Sequence, residues 1–468
     1  MKNTLVLLSV VLYFVLVSCS GRNSSKTSEE VPLEKGKVIA KVACKKDLTQ
    51  SYALYLPSGY TEGKMFPLII AFDAHGSGVK PVELFKEQAE KYGYILVGSN
   101  VSKNGMSWDQ NSSHYDALLF DVCERFGIDK SRIYTCGFSG GSRVASTLAI
   151  TKGGISGVIG CSAGLPPMKE AIKNKFDFFG YAGNEDMNYA EMVHLDMALE
   201  KSGIRHQLVV FNGTHEWPPK DYIFECIVWT ELNAMKDKKK PIDKEFVKKQ
   251  LADFDKQLAE FQKKGNKYNE YLLTKKIVNY FKDVADTKKY ESELALLQQN
   301  SAVKNGLQQA EQLEKKEVML QQQYAQKLSS ENATWWKSEI NRLTTFLKTS
   351  NDETEKHLVK RVMEYLSLAA FSTCTSLYNQ GNLTEAEHYI ELYTIIDTDN
   401  SEPEFMFAEV NARKKDADKT MLHLAKAAEL GFNDKGRIDN DTIFLKYNQD
   451  KRFAEIMDRI KKNQAKNK

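Results

Sequence analysis

The sequence predicts a doubly wound, mostly parallel α/β sheet followed by an all-α helical-repeat region, and three observations carry that reading. Between residues 38 and 226, short β-rich runs alternate with amphipathic stretches, as the strands of a parallel sheet alternate with the helices that cover its faces. Of the 27 Gly and 10 Pro, 22 and 8 fall before residue 241. These residues punctuate strands and tight turns, and their scarcity afterwards permits long helices. Beyond residue 241 the chain is rich in Lys, Glu, Gln and Leu, with apolar residues returning at helical spacing. The 468 residues, 42% hydrophobic and 27% charged, are globular in composition and long enough for about two or three units. A formal charge of only +3 supplies no strongly basic field, so nucleic acid is not an expected partner.

Residues 1–18 form the first element, a secretory leader. Lys2 precedes an apolar run over 5–17 that is shorter than the ~20 residues of a spanning helix. Its end, Leu16-Val17-Ser18-Cys19, resembles the bacterial lipobox, which implies cleavage before Cys19 and a lipid anchor on that residue. Residues 19–36 then read as lipidated Cys and polar tether, and the expected location is the cell envelope. Ser20 rather than Asp follows Cys19, which by resemblance to lipoproteins of two-membrane bacteria favours the outer membrane. The remaining Cys, at 44, 123, 136, 161, 226 and 374, lack disulfide-framework or zinc-ligand spacing and read as small buried thiols. No metal and no cofactor is expected.

Residues 37–236 are the alternating unit. Strands are expected at 38–43, 51–56, 67–72, 94–98, 132–136, 157–161, 176–182 and 207–211. Helices are expected at 82–92, 114–126, from 142, from 168 and around 190–201. The run 67–72 is continuously apolar, as a strand covered on both faces requires. Ligands of such a sheet belong beyond the carboxyl ends of its strands.

Chemistry gathers at those ends. Gly137-Phe138-Ser139-Gly140-Gly141 is a G-x-S-x-G run between a predicted strand and a predicted helix, the context in which a sharp turn lifts a serine hydroxyl clear of the sheet. It leaves the Gly140 N–H at a helix start, free to face a developing oxyanion. No Walker lysine follows, so a phosphate loop is a poor reading. A nucleophilic Ser139 needs a base, and the base needs an orienting carboxylate. Asp186 follows the strand at 176–182, with Glu185 as its one close rival, and His215 follows the strand at 207–211. A second oxyanion donor is expected from Phe72-Asp73-Ala74-His75-Gly76-Ser77-Gly78, as the N–H of Gly76 or of Ser77. Trp108 and Trp217 lie in loops on the same side and are candidates to stack on sugar or aryl rings, with core packing as the alternative.

These residues resemble the α/β-hydrolase superfamily, specifically its polyhydroxybutyrate depolymerase-like and feruloyl-esterase-like secreted esterases. The matching features are Tyr55-Leu56-Pro57-Ser58-Gly59-Tyr60, the His75-Gly76 loop, Gly137-Phe138-Ser139-Gly140-Gly141, Gly183 with Asp186, and Gly213, His215 and Trp217. They span residues 38–232, under half of the chain. The resemblance implies an α/β-hydrolase fold and a Ser139–His215–Asp186 serine esterase. The segments between the later strands are too short for an inserted helical cap, so the expected site is open and shallow. Such a site suits esters carried on a polysaccharide or polymer. A serine peptidase on the same fold is the alternative, since amides and esters pass through similar oxyanions.

Residues 241–468 are the helical unit. Val247, Leu251, Phe254, Leu258 and Phe261 recur at 4-3-4-3 spacing along one helix. Further seams run over 307–328 and 335–347, and a continuous coiled coil is not expected because Gly265, Gly306 and Gly381 interrupt it. The run 381–386 with Leu377 and Ile390 resembles the turn and second helix of a tetratricopeptide-type repeat, with a second copy 35 residues on at Asp416, Met421, Ala425 and Ala428. Such a unit either binds a protein partner or packs on the hydrolase, and a third reading of the protein is an envelope scaffold acting through it.

Overall fold

The computed structural model describes residues 33–166 and 172–466. The leader, Cys19 and most of the tether therefore lie outside the described residues. Eight strands form one sheet: β1 (Val38–Ala43), β2 (Ser51–Tyr55), β3 (Phe66–Phe72), β4 (Ile95–Ser99), β5 (Ile128–Phe138), β6 (Gly157–Cys161), β7 (Asp177–Gly183) and β8 (His206–Phe211). Their order is β1-β2-β4-β3-β5-β6-β7-β8. The β1–β2 and β2–β4 pairs are antiparallel and the rest are parallel. This is the expected doubly wound sheet of the α/β-hydrolase fold. Parallel pairing from β3 to β8 places the loops after β3, β5, β7 and β8 along one edge.

On one face lie α1 (Val79–Tyr92) and, from the end of the unit, α5 (Ile223–Lys236). The other face carries α2 (Trp108–Arg125), α3 (Gly140–Lys152) and α4 (Tyr189–Ser202). Helix α2 starts six residues before the expected position because Ser107 and Gln110 form a capping box. Ser107 Oγ accepts from the Gln110 N–H at 3.2 Å, and Gln110 Oε1 accepts from the Ser107 N–H at 2.9 Å. The helix expected from Met168 begins on residues outside the described ones, 167–171, and 172–176 are not helical. Five of the six thiols are buried, with Cys123 half-buried, and all six are free.

The second half is helical: α6 (Lys244–Lys263), α7 (Lys267–Phe281), α8 (Lys288–Leu297), α9 (Ser301–Ser330), α10 (Ala333–Thr349), α11 (Glu353–Asn379), α12 (Leu383–Ile396), α13 (Glu402–Arg413), α14 (Ala417–Glu429), α15 (Lys435–Asn440) and α16 (Lys451–Lys466). The core under α1 and α5 runs on into it. Val247, Phe254 and Leu258 of α6 and Ile277, Tyr280 and Phe281 of α7 belong to the same apolar cluster as Phe179, Ile227 and Trp229. At about 1.5–3 kcal/mol for each such side chain buried, this junction is a core and not a linker. Gly265 and Gly381 end helices in the left-handed region, at φ +64° and +79°. Gly306 does not interrupt the chain as expected: it sits inside α9, where a Cβ would overlap the Tyr268 ring, so its role is close packing.

A second core gathers α9 to α13 and a third α13 to α16. Two helical hairpins, α11–α12 and α13–α14, turn at equivalent points. Asn382 caps α12 and Asp416 caps α14 through their side chains, 34 residues apart. Among the described residues no helix is long and apolar enough to cross a membrane.

Candidate active site

Strand β5 ends at Phe138 and α3 begins at Gly140, leaving Ser139 alone to turn the chain. Ser139 adopts φ 54°, ψ −120°, a strained conformation for a residue with a Cβ. The turn is possible because its neighbours have no side chain: a Cβ on Gly137 would overlap the Gly141 carbonyl, and one on Gly141 the Phe72 carbonyl. The Ser139 N–H is tied to Cys161 O at 2.9 Å, which fixes the elbow against β6.

The loops after β7 and β8 bring Asp186 and His215 to this serine. His215 Nε2 lies 2.9 Å from Ser139 Oγ, and His215 Nδ1 lies 2.8 Å from Asp186 Oδ1. Asp186 is fully buried, and its Oδ1 also accepts the Asn188 N–H at 2.8 Å. The imidazole packs on the Phe138 ring, centroids 4.9 Å apart. One carboxylate oxygen on Nδ1 sets the tautomer that leaves Nε2 as acceptor for the serine proton.

Of the two expected donors in the β3 loop, Gly76 is excluded. Its single N–H already bonds Asp73 O at 3.1 Å, closing a turn at φ +74°, which leaves Ser77. Gly140 opens α3, so its N–H has no partner one turn back within the helix. Above it sits Asn104, a residue the sequence did not single out: its carboxamide occupies the space a Gly140 Cβ would take, and its N–H bonds Ala74 O at 2.8 Å. Asn104 thereby ties the β3 loop to the elbow.

Trp217 is not a stacking platform. It is 6% exposed, lies beside Phe138, and donates its indole N–H to Asp73 Oδ2 at 2.9 Å. Burial acts to raise the Asp73 carboxyl, but hydrogen bonds from His75 and Trp217 outweigh it and hold the group at about 2. Trp217 braces the β3 loop from below, and the indole at this position belongs to the core. Trp108, at the first turn of α2, is exposed but does not line the cavity beside His215.

The helical half reaches this edge of the sheet. Helix α11 lies across the loop after β7, and successive turns of one face reach it. His357 and Lys360 pair with Glu185 at 2.9 and 2.7 Å, and Arg361 donates to Asn184 O at 2.6 Å. Glu185, the rival acid, thus serves to hold α11 and not His215. Arg361 also packs over the Tyr189 ring and forms a buried ion pair with Glu317 of α9. A turn further on, Met363, Glu364 and Ser367 wall a cavity of about 420 Å³ that opens at His215 and Met187 and extends to Tyr393 and Asp397 of the α11–α12 hairpin. Burial raises the Glu364 carboxyl, the Asp186 charge adds to this, and together they bring it to about 7. The segments between β6 and His215 are too short for an inserted cap; the α11 wall beside His215 comes from about 170 residues further along the chain.

A larger hollow, about 890 Å³, lies at the opposite edge of the sheet around Asp177, Arg205 and Asp237. Its Arg205 pairs with both Asp177 and Asp237, and none of Ser139, Asp186 or His215 lines it. Among the described residues no group of three or more His, Cys, Asp or Glu is placed to hold a metal ion.

An α/β-hydrolase fold with a serine, a histidine and an aspartate in hydrogen-bonded series defines the class of arrangement. Solved structures similar to this chain include an S-formylglutathione hydrolase from Staphylococcus aureus, 16% identical, with TM-score 0.32 over 39% of this chain and 90% of that one. They also include the feruloyl esterase module from Clostridium thermocellum, 15% identical, with TM-score 0.35 over 42% and 88%. An esterase from the archaeon Pyrobaculum calidifontis is 12% identical, with TM-score 0.35 over 43% and 87%. No protein-family model matches the chain, and no curated protein matches it in sequence.

Proposed function

We propose that the protein is a serine hydrolase of carboxylic esters. The observation that carries this reading is the series Asp186 Oδ1, His215 Nδ1, His215 Nε2, Ser139 Oγ, with links of 2.8 and 2.9 Å at a strained serine. Ser139 Oγ attacks the ester carbonyl while His215 Nε2 takes its proton, and Asp186 stabilises the resulting imidazolium. The Gly140 and Ser77 N–H groups meet the oxyanion, a donor of this kind being worth about 10²–10³ in rate. Collapse expels the alcohol, protonated by His215. A water activated by the same nitrogen then releases the acid and restores Ser139. The substrates we favour are esters attached to polysaccharide or polymer.

The test is Ser139→Ala. We expect it to abolish labelling by a fluorophosphonate probe and to lower hydrolysis of short 4-nitrophenyl esters by about 10⁴-fold or more. Full labelling of the variant would remove the assignment.

We further infer, from Leu16-Val17-Ser18-Cys19, that the protein is lipidated at Cys19 and held at the cell envelope, with the outer membrane favoured. Cys19→Ser should move the protein from membrane pellets to the soluble fraction without loss of esterase activity. Pelleting that survives a high-salt wash would place the anchor elsewhere.

A further inference from the structure

The cavity beside His215 is built from both halves of the chain, and its chemistry is lopsided. Met187 and His215 come from the sheet side; Met363, Glu364 and Phe371 come from α11; Asp397 follows α12. Among the described residues, two carboxyl groups stand in this wall and no lysine or arginine does. The nearest basic side chains on α11 are engaged elsewhere, His357 and Lys360 with Glu185 and Arg361 with Glu317. Asp397 is held as an acceptor, with Oδ2 receiving Ser367 Oγ at 2.6 Å and Asn400 Nδ2 at 2.9 Å. The Glu364 carboxylate accepts the Met187 N–H, yet its Oε2 is buried without a hydrogen-bond partner, as is Oδ2 of the neighbouring Asp186. Two buried acceptors near one another disfavour any further negative charge and favour hydrogen-bond donors.

We propose that the helical half is the substrate-discriminating wall of this site: its cavity receives an uncharged or cationic substituent of the ester on an apolar surface, and Glu364 with Asp397 turns away esters that carry a carboxylate there. The inference rests on the esterase reading of Ser139 and His215. Glu364 is the specificity-determining residue, because it lines the cavity together with His215 and sits on a helix clamped to the loop that carries Asp186. A second negative charge about 7 Å from these carboxylates, in a half-solvated cleft, lowers binding by about tenfold.

The discrimination also has a pH signature. Facing Glu364 are Asp186, Glu185 and His215 from the sheet side and Asp397 across the cavity, with Lys360 and Arg361 one turn back on its own helix. With its carboxyl near 7, Glu364 is neutral below that pH and adds its charge above it. Rejection of anionic esters therefore strengthens as pH rises from about 6 to 8.

The experiment uses the full chain and two matched ester pairs. 4-Nitrophenyl butyrate against 4-nitrophenyl hemisuccinate varies charge on the acyl side; phenyl acetate against 3-carboxyphenyl acetate varies it on the alcohol side. In one pair, kcat/KM for the neutral member should exceed that for the anion by about tenfold more at pH 8 than at pH 6, with the difference in KM. In Glu364→Gln that ratio should lose its pH dependence and stay near its pH 6 value. Asp397→Asn should lower the ratio at both pH values, which keeps the test open if the first variant folds poorly. Ratios that are the same in wild type and both variants, in both pairs, overturn the proposal. Fluorophosphonate labelling of Ser139 in the same preparations separates the two failures: unlabelled wild type removes the esterase reading itself, whereas labelled enzyme with unchanged ratios removes only the wall.

Discussion

The two halves of the molecule meet at the carboxyl edge of the sheet, and they bring different things to it. The alternating half places Ser139, Asp186 and His215 on three loops that leave parallel strands, so each position follows from where its strand ends. The helical half places Glu364 and Phe371 by folding back over the loop after β7, so their position follows from ion pairs and packing far along the chain. Chemistry is thus encoded locally and substrate choice at long range. The boundary between the two passes through adjacent residues: Asp186 turns in to His215 while Glu185 turns out to His357 and Lys360.

The largest effect should come from breaking the first half at that boundary. Asp186→Asn keeps the shape but sets the wrong tautomer on His215, and we expect a loss of about 10⁴ in kcat on a short ester. Glu185→Gln, one residue away, should leave kcat within about threefold, because Glu185 holds His357 and Lys360 of α11 and makes no bond to His215. Steady-state kinetics of the two variants decide the matter, and a larger loss in Glu185→Gln would reverse the assignment of the acid.

That contrast explains what was legible in the sequence. The strands could be read because alternation, Gly and Pro report local backbone, and the parallel order then puts Ser139, Asp186 and His215 at one edge. The serine elbow was legible because only glycines fit beside it. The α11 wall was not, since His357, Lys360 and Arg361 are ordinary surface residues on a helix until Glu185, Asn184 and Glu317 are seen beneath them. The sequence leaves Trp217 between ring stacking and core packing for a related reason: its place in a loop after a strand is visible, but the indole bond to Asp73 that decides for the core spans 144 residues. The N-terminal turn of α2 and the packing role of Gly306 were missed for smaller reasons, a capping box and a neighbouring Tyr268 ring.

The second half can be broken separately. Arg361 and Glu317 are 8% and 0% exposed in their side chains, and the ion pair joins α11 to α9. Arg361→Ala leaves Glu317 buried without its cation, which should destabilise the fold by about 3–5 kcal/mol. Burial already pushes the Glu317 carboxyl up. With the arginine gone it rises further, so a group with a raised folded-state pKa is relieved by protonation and the deficit should shrink as pH falls. Urea unfolding at pH 7.5 and pH 5 measures both. A loss under about 1 kcal/mol would mean that α11 is held mainly by its apolar face.

The smallest effect tests the brace beneath the catalytic edge. Trp217 donates to an Asp73 held at about 2, and Trp217→Phe keeps a ring beside Phe138 while removing that donor. A hydrogen bond to a buried charged group is worth about 1.5–3 kcal/mol, and that is the expected loss at pH 7. Asp73 has a folded-state value below its unfolded one, so its contribution is present above about pH 4 and is lost as pH falls toward 2. The gap between wild type and variant should therefore be widest at neutral pH and close through that acid window, because protonation removes from the wild type what the substitution removes at every pH. A gap that stays constant from pH 7 to pH 3 would mean that the indole acts by packing and not through its N–H. The loop bearing Ser77 would then be held by the His75 contact with Asp73 and by the Asn104 bond to Ala74 O.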